Sequence, residues 1–185
     1  MDKIWQMWSG GLPEDTTNDL INICEQYPIV DSTMGHDGSI RNSEYRTSEL
    51  RWVGNNNGIR DILWEYVHEA NRNAFGFDVN LIKEIQFTTY KAEDGGKYDW
   101  HIDTFWGNPT KYDRKISCVV QLTDPSEYEG GRFEFDPAWE QPDSEQLAQK
   151  GTVICFPSFI QHRVTPVTKG IRKSLVCWVE GPKFR

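Results

Sequence analysis

The stretch Thr152–Val179, TVICFPSFIQHRVTPVTKGIRKSLVCWV, contains the pattern that decides the fold. Its apolar runs are only a few residues long, are rich in Val, Ile, Leu and aromatic residues, and are separated by turn residues. Short runs of this composition are typical of β-strands. The stretch therefore predicts three successive strands, and its turn residues predict that the last two form a hairpin that closes near Lys169.

Upstream of this stretch, the residue pattern changes from helical to strand-like at about Leu81. The segments Pro13–Tyr27 and Gly58–Phe75 space their apolar residues three and four positions apart, which predicts two helices. From Leu81 onward, strands are predicted at Leu81–Tyr90, Tyr98–Asp103, Lys115–Thr123, Arg132–Phe135, Thr152–Phe156, His162–Val167 and Arg172–Val179. This order predicts an α+β, mainly β fold, in which the helices pack on a β-sandwich or open barrel. The polar segment Asp31–Asn57 lacks clear periodicity and is interpreted as a β-hairpin or a mobile loop.

Length and composition fit one soluble domain. The chain has 185 residues, of which 37% are hydrophobic and 13% aromatic, enough for a sizeable core. Its 28 acidic and 20 basic residues give a net charge of -8, which repels phosphate backbones and makes nucleic acid a poor partner. The four cysteines lie among apolar neighbours without metal-binding spacing and are expected to be buried free thiols. With neither a signal peptide nor a membrane span recognised, we expect the protein in the cytoplasm of a bacterium, or of the host cell if it is phage-encoded.

Two of the four histidines belong to a pattern that can hold a metal ion. Residues i and i+2 of a strand point to the same face, so His101 and Asp103 can bind one ion together. Such a pair is weak evidence by itself, because it occurs often by chance. His162 adds a second imidazole, and two histidines with one carboxylate form the facial triad that leaves three positions open on Fe(II). His36, in a Gly-rich loop, and His68, on the second helix, are interpreted as solvated or boundary residues.

Arg172 and Ser174 share one face of an otherwise apolar strand with Trp178. An arginine on such a strand is costly to bury without an anionic partner. In the predicted hairpin, His162 lies opposite the middle of the last strand, about 13 Å from Arg172 at about 3.4 Å per residue. An extended arginine and a five-carbon diacid span a similar distance. Arg172 is therefore predicted to bind the far carboxylate of a small diacid that chelates the metal; the alternative is a surface salt bridge.

The motifs GKYDWHID (96–103), GGRF (130–133) and HRVTPVTKGIR (162–172) resemble those of the iron(II)/2-oxoglutarate dioxygenases. They are most similar to the prolyl 4-hydroxylase-like branch, specifically the bacterial and phage PKHD-type hydroxylases. The resemblance implies a double-stranded β-helix, a jelly-roll or cupin-like core braced by N-terminal helices. It also implies a single dioxygenase domain over residues 1–185, with helical support and a substrate loop in 1–80 and the core in 81–181.

The resemblance implies roles for ten residues in three groups. The metal ligands and catalytic residues would be His101, Asp103 and His162. The residues that bind the cosubstrate 2-oxoglutarate would be Arg172, which pairs with its C5 carboxylate, and Tyr90, Ser174 and Gln121. The residues that bind substrate would be Trp178, Arg46 and Tyr98. Many collagen-type prolyl hydroxylases have Lys in place of Arg172, so the arginine indicates the bacterial or oxygen-sensor-like subgroup.

The implied reaction is the hydroxylation of a peptidyl proline, with 2-oxoglutarate and O2 converted to succinate and CO2 and ascorbate as a candidate reductant. The segment Arg41–Trp52 resembles the loop that covers peptide substrates, although a solvated surface hairpin is an equal interpretation. Two other functions stay open. One is the same chemistry on a free amino acid, another small molecule or a nucleobase. The other is a non-catalytic jelly-roll module that binds a metal or ligand, which would not need Arg172 ten residues beyond His162.

Overall fold

The computed structural model describes residues 4–31, 44–107 and 109–185. In these ranges, strands β1 to β12 form the two sheets of a double-stranded β-helix. The larger sheet has the order β1-β10-β7-β12-β5-β4-β2, with β8 paired to one end of β12, and the smaller sheet has the order β3-β6-β11-β9. The strands are β1 (Gln6–Trp8), β2 (Val30–Asp31), β3 (Arg46–Thr47), β4 (Glu49–Trp52), β5 (Leu81–Lys91), β6 (Lys97–His101), β7 (Tyr112–Gln121), β8 (Tyr128–Gly130), β9 (Phe133–Phe135), β10 (Val153–Pro157), β11 (His162–Val164) and β12 (Val167–Pro182).

Two helices, α1 (Glu14–Cys24) and α2 (Asn57–Ala70), pack on the outer face of the larger sheet. The Asn56 side chain caps α2 by accepting a hydrogen bond from the backbone N–H of Ile59 at 3.0 Å. Both predicted helices are confirmed, and a π-helical turn after α2 extends the second one to Phe75. The short helix α3 (Ser144–Ala148) was not predicted, because five residues are too few for a periodic signal. None of the described helices is long and apolar enough to cross a membrane.

Strand β12 lies between β5 and β7 and separates the core from the site. Its residues Leu175, Cys177 and Val179 are fully buried against the helices. Arg172 and Trp178 point into the space between the two sheets, with Ser174 beside them. The face predicted to be shared by Arg172, Ser174 and Trp178 is therefore confirmed.

The predicted hairpin between the strands that contain His162 and Arg172 is wrong. β11 belongs to the smaller sheet, where His162 pairs with His101 on one side and Phe135 on the other. β12 belongs to the larger sheet, where Arg172 pairs with Tyr90. The chain crosses from one sheet to the other at residues 165–166, because β11 and β12 each take their partners from a different sheet.

The segment predicted as a hairpin or mobile loop contributes to both sheets instead. Within its described part, β3 pairs with β6 of the smaller sheet, whereas β4 pairs with β5 of the larger one. Residues 32–43, which include His36 and the start of the loop at Arg41, lie outside the described residues. Asp103 also falls two residues beyond the end of β6, so its position does not follow from strand alternation alone.

Candidate active site

Three side chains converge between the sheets in an arrangement that can hold a metal ion. His101 ends β6, Asp103 follows two residues later, and His162 begins the neighbouring strand β11. Their ligand atoms all lie within 4.8 Å of one another. The Nε2 atom of His101 is 3.7 Å from one carboxylate oxygen of Asp103, and Nε2 of His162 is 3.5 Å from the other. Two imidazoles and one carboxylate on one side of an ion are a donor set that fits Fe(II).

Backbone carbonyls orient both imidazoles for metal binding. Nδ1 of His101 lies 2.7 Å from the carbonyl oxygen of Asp99, and Nδ1 of His162 lies 2.9 Å from that of Ile160. Because a carbonyl can only accept, Nδ1 carries the hydrogen in each ring, and the lone pair of Nε2 would be available to a metal ion. Burial, and then the neighbouring His162, lowers the pKa of His101 to about 3. Its ring is therefore neutral at neutral pH, the form that binds metal.

Ser117 holds the carboxylate of Asp103, and Ser158 in turn contacts Ser117. Ser117 Oγ on β7 donates a hydrogen bond of 2.6 Å to Asp103 Oδ2 and lies 2.9 Å from Ser158 Oγ. Burial alone would raise the pKa of the Asp103 carboxyl, but attraction to the His162 and His101 rings, which are positively charged when protonated at low pH, brings the pKa below its usual value. The carboxylate is therefore ionised and fixed in position. Neither serine was predicted, because the sequence contains no signal that β7 lies beside Asp103.

Arg172 lies on the opposite wall of the pocket, only 2% exposed. Its Nη2 donates a 2.7 Å hydrogen bond to Gln121 Oε1, and Gln121 Nε2 donates one of 2.6 Å to Tyr128 Oη. Nε and Nη1 of Arg172 are buried and have no hydrogen-bond partner among the described residues. A buried guanidinium with free donors is costly unless an anion binds there. The cradle fits a carboxylate of the cosubstrate, and Tyr128 is a further residue that sequence analysis missed.

The three residues predicted to bind substrate, Arg46, Tyr98 and Trp178, also line this pocket. The Arg46 guanidinium lies 4.3 Å from the centroid of Tyr98, whose ring stacks on His101 at 3.5 Å. The exposed ring of Trp52 lies 6.1 Å from that of Trp178 at the rim. In the described part of the chain, Arg46 Nη2 and Trp178 Nε1 are buried without a hydrogen-bond partner.

The structure brings all ten predicted site residues together. All of them except Gln121 line the pocket around the three metal-binding side chains, and Gln121 contacts that pocket through Arg172. Tyr90 is buried and its ring centroid lies 5.4 Å from the Arg172 guanidinium. Ser174 is buried between its strand partners Thr88 and Gln121.

The sequence model of the 2OG-Fe(II) oxygenase superfamily matches residues 85–180, which contain the three metal-binding side chains and Arg172. This chain belongs to that superfamily. A relative from Aliarcobacter butzleri (strain RM4018), named a PKHD-type hydroxylase, is 36% identical over 129 residues, 67% of this chain and 55% of the relative. Another PKHD-type hydroxylase, from Colwellia psychrerythraea (strain 34H / ATCC BAA-681), is 39% identical over 97 residues, 52% of this chain and 43% of the relative. The chain thus spans about half the length of the curated relatives it matches.

Solved structures of prolyl hydroxylases share the fold of this superfamily member. A Pseudomonas putida prolyl-4-hydroxylase matches with a TM-score of 0.73 and 18% identity, over 98% of this chain and 95% of its own. A Trichoplax adhaerens prolyl hydroxylase, in complex with a hypoxia inducible factor oxygen degradation domain peptide fragment, matches with a TM-score of 0.74 and 14% identity, over 96% and 84%. These likenesses confirm the predicted double-stranded β-helix.

Proposed function

We propose that this chain is an Fe(II)- and 2-oxoglutarate-dependent hydroxylase that acts on a prolyl residue of a peptide or protein. His101, Asp103 and His162 would hold the iron through Nε2, a carboxylate oxygen and Nε2. Bound iron, with 2-oxoglutarate and O2, supplies the oxidation of a substrate C–H bond and yields succinate and CO2. Ascorbate is a candidate reductant that keeps the iron ferrous.

Arg172 would bind the C5 carboxylate of 2-oxoglutarate through an edge of its guanidinium that includes Nε or Nη1, the donor nitrogens without a partner in the described ranges. Gln121 accepts a hydrogen bond from Nη2, which restrains the guanidinium before the cosubstrate arrives. A planar fork suits a carboxylate better than the single charge of a lysine. Tyr90 and Ser174 complete this end of the pocket as buried polar neighbours.

A prolyl substrate is supported by the unpaired polar groups on the side of the pocket that would bind substrate, because these groups are all hydrogen-bond donors. The two buried side-chain groups there that lack a partner among the described residues, Arg46 Nη2 and Trp178 Nε1, are both donors. Guanidinium and indole groups accept no hydrogen bond. A prolyl residue in a chain offers carbonyl acceptors and has no N–H that would need an acceptor. The Trp178 and Trp52 rings add an apolar wall for its pyrrolidine ring.

The relatives also support a peptide substrate. A peptide fragment is bound in the Trichoplax adhaerens neighbour, and curated relatives carry the name PKHD-type hydroxylase. The net charge of -8 favours a peptide over nucleic acid. We place the reaction in a reducing cytoplasm, which suits four buried cysteines that are all free.

Mass spectrometry of peptides tests this function. The protein, supplied with Fe(II), 2-oxoglutarate and O2, is incubated with a library of proline-containing peptides and with protein extract from the source cell. We expect a gain of one oxygen on a proline, absent when that proline is replaced by alanine or when His162→Ala is used. Arg46→Gln is expected to raise the KM for the peptide about tenfold, the loss of one hydrogen bond to a charged donor.

The same assay separates the alternatives. Succinate production stimulated by free amino acids and by no peptide would favour the small-molecule substrate, for which Arg46 could bind a carboxylate. Fe(II) binding without any substrate-dependent succinate production would contradict hydroxylation.

A further inference from the structure

A second cavity lies beside the metal pocket, and most of its lining residues have no role in the chemistry above. Its volume is about 560 Å³, within the roughly 300–1,000 Å³ typical of ligand sites. It extends between β9, the loop that follows and α3, and exposed residues Arg132, Gln141 and Ser144 line its outer end. Its inner end shares Arg172 with the metal pocket and includes Gln121, which holds that arginine. The cavity therefore runs from the surface to the cosubstrate-binding arginine.

The metal pocket alone is too small for a five-carbon diacid. Its free volume is about 30 Å³, room for about two water molecules at roughly 10–15 Å³ each. A diacid bound to Arg172 must therefore use the space where the two cavities join. Nε and Nη1 of Arg172, which lack a partner in the described part of the chain, provide the anion-binding group at that junction.

The charge of the larger cavity is opposite to that of the whole chain. Three arginines and one glutamate line it, a net charge of two positive, whereas the chain carries -8. The glutamate, Glu134, is already engaged by Arg163 at 2.7 Å and by Arg132 at 2.9 Å. A concave surface of this sign concentrates small dianions. 2-Oxoglutarate and succinate both carry two negative charges at neutral pH.

The substrate side opens elsewhere. Arg46, Tyr98 and Trp178 line the metal pocket but not the larger cavity. We propose that the larger cavity is a separate passage through which the dicarboxylate cosubstrate reaches Arg172 and succinate leaves. This proposal depends on the proposed use of 2-oxoglutarate as cosubstrate, and it does not depend on the identity of the substrate. Its consequence is that cosubstrate exchanges while the substrate side stays covered.

Association kinetics test the passage without any substrate. The Fe(II)-loaded protein is mixed with 2-oxoglutarate without O2 in a stopped-flow instrument, and the weak visible charge-transfer band is followed. The slope of observed rate against concentration gives the association rate constant, and the intercept gives the dissociation rate constant. Ala148→Trp narrows the cavity from α3, and its control is Glu145→Trp, an exposed position on the same helix outside the lining.

A narrowed passage slows both directions equally. We expect Ala148→Trp to lower slope and intercept by the same factor, several-fold, and to leave Kd unchanged. Arg132→Glu reverses charge at the mouth and is expected to lower the slope about tenfold at low salt, with the difference lost at high salt. Its control is Arg72→Glu, the same charge change on an exposed residue of the helical layer. Arg132 is a surface residue, so this variant decides the question if Ala148→Trp does not fold.

Three results would overturn the passage. Wild-type slopes and intercepts in both variants would show that cosubstrate arrives by another path. A lower slope with an unchanged intercept in Ala148→Trp would show a binding pocket instead of a passage. A wild-type protein that binds Fe(II) but forms no band would remove the cosubstrate site together with its passage.

Discussion

Arg172 is the residue whose role depends most on its surroundings. It is 2% exposed, its described hydrogen-bond partner is the Gln121 amide, and two of its donor nitrogens have none in the described ranges. Arg172→Lys keeps the charge but loses the fork that can bind both oxygens of a carboxylate. We expect a rise of about tenfold or more in the 2-oxoglutarate concentration at which the charge-transfer band reaches half its maximal intensity, because one charge-assisted hydrogen bond is lost.

An anaerobic titration of the Fe(II)-loaded protein measures this change. The control is Arg51→Lys, because Arg51 is a partly buried arginine outside the site that donates to the carbonyl of Tyr27. A wild-type midpoint in Arg172→Lys would show that the cosubstrate carboxylate binds elsewhere.

Ser117 is a positioning residue for the metal centre. Its hydroxyl donates to the Asp103 oxygen that lies nearer His162. Groups that orient a metal ligand in this way typically contribute about 10- to 100-fold to metal affinity. We expect Ser117→Ala to weaken Fe(II) binding by that factor in an anaerobic chelator competition, with the fold unchanged by circular dichroism. Ser126→Ala, on an exposed serine that bonds Asp124, is the control and should bind Fe(II) like the wild type; equal affinities in both variants would contradict the role.

At this scale the sequence predicted the residues that we propose bind the metal and the cosubstrate, and it missed the residues that orient them. His101, Asp103, His162 and Arg172 are chemically conspicuous, so residue type and spacing were enough. Ser117 resembles any other serine on a strand, and its function arises because β7 lies across the pocket from Asp103. Such a contact depends on sheet order, which local pattern does not contain.

At the scale of elements, strand positions followed from alternation but their partners did not. The periodicity of β12 correctly predicted which residues face the pocket. The short turn after β11 suggested a hairpin, yet the chain crosses between sheets there. The proximity of Arg172 to the metal centre was therefore predicted correctly for an incorrect reason. It arises across the sandwich and not along a hairpin.

The crossing between sheets depends on a glycine. Gly130 has a φ of 74°, and a Cβ there would lie 2.2 Å from the carbonyl oxygen of Pro166 at the crossing. Gly95 has a similar φ of 66°, but a Cβ there would have no described neighbour within 4 Å, so it is a matched control. We expect Gly95→Ala to lower the free energy of unfolding by about 1–2 kcal/mol, the cost of the left-handed conformation. Gly130→Ala should cost about 3 kcal/mol or more, because the clash adds overpacking to that cost.

Urea denaturation measures the free energy of unfolding of both glycine variants, and the comparison holds if their m-values are equal. Equal losses in the two would show that the backbone contact at residue 130 relaxes freely.

At the scale of the whole molecule, the larger sheet separates an apolar layer from a polar one. Its outer face packs against the helices and contains Cys118, which lies opposite Cys155 and Cys177 on the neighbouring strands. With Cys24 of α1, all four cysteines of the chain are 0% exposed. Burial raises the pKa of the Cys24 thiol to about 12 and holds the pKa values of Cys155 and Cys177 well above the usual value.

The buried thiols therefore report opening of the core. Iodoacetamide reacts only with a thiolate that it can reach, and all four cysteines are fully buried, so native protein should be labelled through transient unfolding alone, and four thiols per chain should react in denaturant. With Mn(II) as a redox-inert stand-in for iron, 2-oxoglutarate at 100 times its Kd stabilises the folded state by about 2.7 kcal/mol. When closing outpaces labelling, all four thiols should then react about 100-fold more slowly, because labelling follows the population of the open form.

The variant Arg172→Lys links this core effect to the site on the other face of the sheet. If its Kd is tenfold higher, the same concentration of 2-oxoglutarate gives about tenfold less protection. Mass spectrometry of each labelled cysteine measures the rates, with Arg51→Lys expected to match the wild type. A thiol that reacts quickly in the native protein, whatever the ligand, would show that its part of the core opens locally and independently of the site.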